Sequence, residues 1–246
     1  MPSIIREFEN GEIYHVTLRV IGRDLMFEDI NDYFRAIFSI YEFNNSNPVS
    51  ILKRREERAR FKKETQTRVG LVGLVEEEDK RNKIVEVLAF CLMPNHIHLL
   101  VKQIVDGGVT KYMNKLGGGY AYYFKTKHDI KVKGHFYQDR FNAVHIKNDG
   151  QLQTVFTYIH TNPIALIEPG WKEKGILDPV KAKKFLEEEF RWSSYWDCLD
   201  KKNFPSVTER NFLLEVMGGM QGCKNAVDNW IDYKGEIRNI PDFVLE

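Results

Sequence analysis

The stretch NKIVEVLAFCLMPNHIHLLVKQI, residues 82–104, is apolar at nearly every position and is broken only at Pro94-Asn95. Two strands joined by a tight turn satisfy that pattern. Strands without polar alternation are central ones, covered on both faces, so the rest of the chain has to supply that cover. With 246 residues and 43% hydrophobic content there is enough material for one sizeable domain and an appended piece.

The flanking segments supply the other elements. In EIYHVTLRV (12–20), Tyr14, Val16, Leu18 and Val20 alternate with His15, Thr17 and Arg19, the period of a half-buried strand. FEDINDYFRAIFSIYEF carries Ile30, Tyr33, Phe34, Ile37, Phe38 and Tyr41 at three-and-four spacing, an amphipathic helix. Residues 44–83 break the rhythm and read as an exposed, basic, partly helical insertion with a strand near VGLVGLV. GVTKYMNKLGGGYAYYFKTKH predicts a helix interrupted or softened at Gly117, Gly118 and Gly119, with Tyr120, Tyr122, Tyr123 and Phe124 in the core. Residues 131–146 read as a loop leading into a strand, and DGQLQTVFTYIHTNP as a helix perturbed at Pro163. In DPVKAKKFLEEEFRW, Asp178 is the expected N-cap and Pro179 the first helical residue, and a helical tail covers 206–231.

Strand, helix, strand pair, helix, strand, helix predicts an α+β fold, a ferredoxin-like antiparallel sheet with helices on one face. Residues 1–204 form the main domain, with 44–83 inserted, and 205–246 a C-terminal helical extension.

A net charge of +1 leaves any nucleic-acid contact to local patches. Cys91, Cys198 and Cys223 lie far apart with no CxxC spacing, which argues against a zinc ribbon or disulfide scaffold and fits a reducing cytosol. The amino terminus lacks an apolar h-region and no apolar run approaches a membrane span. The expectation is a cytoplasmic protein with no membrane partner.

On a strand, His96 and His98 project to one face while Ile97 points to the other. Two adjacent imidazoles are half of a divalent metal site, or two hydrogen-bonded core residues. In TYIHTNP, Tyr158 and Asn162 are four apart and share one face of a helix. Asn162 offers an oxygen suited to magnesium or manganese, and a tyrosine one turn away can reach a substrate held there. The bland alternative has Tyr158 in the core and Asn162 merely ending the helix.

The segments YHVTLR, MPNHIHLLV, GHFYQDRF, YIHTNP and RWSSYWD, in this order, resemble the single-tyrosine HUH transposases, in particular the REP-associated tyrosine transposase branch. The resemblance covers roughly residues 11–200, and the 44–83 insertion is longer than the family pattern. It implies a bacterial, nucleoid-associated transposase that cleaves and joins single-stranded or hairpin DNA through a 5′-phosphotyrosine intermediate. Carried over by position, Tyr158 is the nucleophile, and His96, His98 and Asn162 bind Mg²⁺ or Mn²⁺. A homodimer is a further candidate assembly.

For DNA contact, Arg19, Lys125, Lys127, Lys131, Lys133 and Arg140 form the basic set, with Tyr137 or Phe136 available for base stacking. This set is favoured over the insertion because GHFYQDRF belongs to the resemblance. Two rival readings stand beside it: a metal-dependent phosphohydrolase using water, and a hairpin-binding regulator that does not cut.

Overall fold

Pro94 and Asn95 turn the apolar stretch back on itself, so that Met93 and His96 pair across a hairpin. The computed structural model describes residues 7–22, 25–68, 79–130 and 134–238. In chain order the elements are β1 (Ile13–Arg19), α1 (Ile30–Glu42), α2 (Ile51–Arg68), β2 (Val85–Met93), β3 (His96–Gln103), α3 (Gly108–Lys127), β4 (Asn142–Ile146) and α4 (Asp149–Thr161). A 3-10 turn (Asn162–Leu166) leads to α5 (Trp171–Lys174), α6 (Pro179–Lys184), a π turn (Phe185–Glu189), α7 (Tyr195–Cys198), α8 (Asn211–Met217) and α9 (Gly219–Arg238).

The strands lie in the order β2-β3-β1-β4 with every neighbouring pair antiparallel, which is the expected ferredoxin-like sheet. The expectation of helices on one face needs correction. Val16 and Leu18 of β1 and Ile97 and Leu99 of β3 form one cluster with Ile37 and Ile40 of α1 and Tyr112, Leu116 and Tyr120 of α3. Cys91, Met93 and Leu100 point the other way, into a second cluster with Leu152, Phe156 and Ile159 of α4, Leu213 of α8 and Val227 and Ile231 of α9. Strands that are apolar on both sides need two layers of cover, and α4 with the C-terminal helices is the second. The helical tail thus shares a core with the sheet and has none of its own.

Three further readings change. α3 runs unbroken through Gly117–Gly119, because a Cβ at Gly119 would sit 2.5 Å or less from two ring carbons of Phe43; the glycine admits close packing and does not soften the helix. Within the aromatic cluster, Tyr120 and Phe124 are core, but Tyr122 is 75% exposed. The insertion is not simply solvated: Arg54 pairs with the buried Glu42 at 2.9 Å, and Asn44 accepts from Ile84 and Val85 N–H and donates to Val85 O. The strand expected near VGLVGLV lies outside the described residues. Asp178 caps α6 as read, its carboxylate accepting from Lys181 N–H at 2.9 Å.

RWSSYWD lines the free edge of β2, where Leu92 N–H donates to Trp192 O (2.8 Å) and Ser194 N–H to Phe90 O (3.0 Å). Ser194 Oγ also lies 3.0 Å from His160 Nε2, while His160 Nδ1 lies 2.9 Å from Phe156 O. This link fastens α4 to the sheet. His160 is fully buried, and burial pushes its pKa from 6.5 down to about 3, against a raising effect of the Phe156 carbonyl. The folded state therefore takes up this proton less readily than the unfolded chain. Its stabilising contribution is complete above pH 6.5 and is lost as pH falls from there towards 3, at up to about 1.4 kcal/mol per pH unit. Denaturant titrations at pH 7, 6 and 5 should show this loss, and a His160→Gln variant should lose less over the same window. Equal pH dependence in the two proteins would refute the assignment.

Among the described residues, no helix is long and apolar enough to cross a membrane. Cys91, Cys198 and Cys223 are buried and free.

Candidate active site

Period-two alternation on β1 and β3 puts Tyr14, Val16, Leu18, Ile97 and Leu99 on the α1/α3 side, and therefore His15, Thr17, Arg19, His96 and His98 on the other. Thr17 stands opposite His98 and Arg19 opposite His96. α4 crosses this face. Asn148 caps its start by accepting from Gln151 N–H (2.9 Å), and Pro163 ends it by forcing the chain into the 3-10 turn, which fixes Asn162 at the helix end, one turn after Tyr158.

The structure brings the four predicted residues together. His96 Nε2 and His98 Nε2 face each other at 3.0 Å, and Asn162 Nδ2 lies 2.5 Å from His98 Nε2 and 3.5 Å from His96 Nε2. Tyr158 stands edge-on to His98, ring centroids 5.5 Å apart, and is 38% exposed. Both histidines and Asn162 are buried, so the site is a pocket under α4 and not an open strand surface.

The outer nitrogens of the two imidazoles are also engaged. His96 Nδ1 lies 2.6 Å from Asn95 Oδ1, while His98 Nδ1 lies 3.0 Å from His15 Nε2 and 3.3 Å from Thr17 Oγ1. Outer-shell partners of this kind orient the rings of metal-binding histidines, with the opposite nitrogen turned inward as a lone-pair donor. Burial, then the Arg19 and Lys172 charges, lowers the pKa of His96 to about 3. Burial first, then neighbouring His96 and His15, holds His98 well below 6.5, and burial takes His15 to about 4. All three are neutral at pH 7, the form that coordinates a metal.

Among the described residues no group of three or more His, Cys, Asp or Glu is arranged to hold a metal. The candidate set is two imidazoles and one amide, and its chemistry fits Mg²⁺ or Mn²⁺ completed by water or phosphate oxygens. Asn162 turns its nitrogen to the imidazoles and gives Oδ1 to Lys172 Nζ at 2.7 Å, so ligation by the amide oxygen requires the amide to turn over and release Lys172.

Lys172 and His15 are functional candidates that sequence reasoning missed. Lys172 Nζ also lies 3.5 Å from the Tyr158 hydroxyl and 4.6 Å from its ring centroid. Nothing in its local sequence marks it; α5 carries it to the site from ten residues beyond Asn162. His15 had a legible signal, as the polar alternate of β1 on the same face as Thr17 and Arg19.

The basic set divides. Arg19 is exposed between two clefts, one of about 370 Å³ with His15, His98 and Tyr158, the other of about 450 Å³ with His96, Asn162 and Lys172. Lys125 and Arg140 line a groove of about 750 Å³ with Tyr122 and His135. Tyr137 contributes only a wall, since its hydroxyl donates to Gly117 O at 3.2 Å and its ring packs against the core. Lys127 does not join this groove: its ammonium is bound by Asp29 (2.6 Å) and Asp32 (2.7 Å). Its charge is matched there by the two carboxylates at the start of α1. Lys131 and Lys133 lie outside the described residues.

A ferredoxin-like sheet with a buried histidine pair on a central strand, and one exposed tyrosine a turn before a polar third residue, defines the class of site. Residues 43–162 match the family model described as transposase IS200 like, a span that contains His96, His98, Tyr158 and Asn162. A solved structure of a REP-associated tyrosine transposase bound to a REP hairpin is similar at a TM-score of 0.44 and 14% identity, over 86% of this chain and 96% of that one. No curated protein matches the chain in sequence.

Proposed function

We propose that this chain is a REP-associated type of tyrosine transposase, a metal-dependent enzyme that nicks and rejoins single-stranded, hairpin-associated DNA through a 5′-phosphotyrosine on Tyr158. The observation that carries the reading is the convergence of Tyr158 with His96, His98 and Asn162 at one partly open cleft. The transposase family match and the five ordered motifs support DNA as the substrate.

In this reading Tyr158 Oη attacks the phosphorus. The Oη–P bond forms as the P–O3′ bond breaks, the phenol proton goes to solvent, and the released O3′ takes up a proton. Phenolate is a good leaving group, so the linkage keeps the energy of the phosphodiester and the reverse step joins strands without ATP. His96, His98 and Asn162 would hold Mg²⁺ or Mn²⁺, which when bound polarises a non-bridging phosphate oxygen. Lys172 presents positive charge to the phenol oxygen as that oxygen leaves. Arg19 and the groove with Lys125, Arg140 and Tyr122 take flanking phosphates and bases. Residues 1–204 then form the catalytic unit, and 205–246 an extension that completes its core.

The test is incubation with a hairpin-bearing single-stranded library and Mn²⁺, followed by denaturing electrophoresis. A protein–DNA adduct that EDTA prevents is expected. Cleavage without an adduct would favour a water-using phosphohydrolase, and chelator-insensitive binding without cleavage a regulator. A Lys172→Ala variant should form adduct roughly 100-fold more slowly, the scale for removing one positioned cationic donor. Its Mn²⁺ affinity by calorimetry should not fall, because the ammonium is hydrogen-bonded to the very oxygen the metal would use. A fall in metal affinity would mean that Lys172 only holds Asn162 in place.

A further inference from the structure

The face of the sheet remote from Tyr158 carries a groove of about 710 Å³ between α1, α2 and residues 203–207, lined by Phe34, Arg35, Phe38, Arg55, Tyr123 and Phe204 among others. The cations nearby fall into two kinds. Lys127 is matched by Asp29 and Asp32, and Arg54 and Arg58 by Glu42. Arg35 and Arg55 pair with no carboxylate among the described residues, and Arg35 Nε is buried without a hydrogen-bond partner. Burial first, and then the nearby Arg55 charge, lower the pKa of Arg35; the Tyr123 and Tyr120 phenols act the other way, and no carboxylate contributes. Two neighbouring guanidiniums without a counter-charge raise the local positive potential and suit a bound phosphodiester. Phe34, 42% exposed, and Phe204 offer aromatic surface beside them.

The groove also lies on a route from the active site. Gln138 and Asp139 line both the Tyr158 cleft and the groove holding Tyr122, Lys125 and Arg140. α3 is the ridge between that groove and this one, with Tyr122 and Lys125 on one side and Tyr123 and Lys127 on the other.

We propose that this arginine–aromatic groove binds a single-stranded segment of the DNA substrate distal to the cleavage point, its phosphates between Arg35 and Arg55 and a base against Phe34. The proposal rests on the DNA-cleaving reading above. Backbone charge and aromatic faces together are the chemistry that holds single strands without sequence preference.

The test uses the full chain and a fluorescent hairpin oligonucleotide with a long single-stranded extension, titrated at several salt concentrations. An Arg35→Met/Arg55→Met double variant, which keeps the aliphatic stems, should bind roughly tenfold more weakly. Its log K against log salt slope should be shallower by about 1.4, the value for two lost single-strand phosphate contacts. Phe34→Ala should weaken binding with the slope unchanged, once a thermal melt shows it folded. A hairpin without the extension should be bound and cut alike by all three proteins. Unchanged affinity and slope in the arginine variant, with wild-type cleavage intact, would overturn the groove and leave the enzyme reading standing. Absence of any adduct with the wild-type protein would instead remove the reading on which the groove depends.

Discussion

Replacing Tyr158 by phenylalanine is expected to abolish covalent capture of cleaved DNA and leave the fold in place. Among the described residues the hydroxyl meets only Lys172, at 3.5 Å, and the ring is 38% exposed, so its loss should change stability by no more than about 0.5 kcal/mol. Cleavage should fall by roughly 10⁴-fold or more, because no other step replaces a missing covalent nucleophile. Other tyrosines are poorly suited to take over. Tyr137 donates its hydroxyl to Gly117 O, Tyr195 is almost wholly buried, and burial raises the pKa of both phenols. Mass spectrometry of the trapped complex should place the nucleotide on the peptide containing TYIHTNP. A nucleotide on Tyr137 or Tyr195, or wild-type cleavage by the phenylalanine variant, would overturn the assignment.

Alanine at His96 or His98 should remove both divalent-metal binding and cleavage. Loss of one of two imidazoles leaves too few donors to hold a weakly bound ion, so Mn²⁺ affinity should drop roughly 100-fold or more. The two positions differ in their effect on the fold. His98 is 3% exposed and holds contacts to His15 and Thr17, so its removal should cost about 1–3 kcal/mol as those groups lose a partner. Asn at position 98 retains some of that hydrogen bonding and serves as a control for folding. Calorimetric titration with Mn²⁺ in the absence of DNA, beside the adduct assay, separates binding from turnover. Full metal affinity in the His98→Ala protein would show that the imidazoles are core residues and not ligands.

The two central strands, the turn at Pro94-Asn95, the pairing of His96 with His98 and the one-turn spacing of Tyr158 and Asn162 were all legible in the sequence. Each follows from the local periodicity of a strand or helix, which neighbouring residues determine by themselves. The second helical layer was implied by the continuous apolarity of β2 and β3, but its source was not: α4 and the tail from Leu213 to Ile231 reach that face only through tertiary packing. The same limit hid Lys172, which meets Tyr158 and Asn162 because a short helix lies under α9, where Lys234 Nζ donates to the Lys172 carbonyl at 2.9 Å. It also hid the partners of Lys127, Asp29 and Asp32, which lie almost a hundred residues earlier in the chain. Periodicity decides which face a residue occupies; only the folded chain decides what stands across from it, because those partners are distant in sequence and close in space.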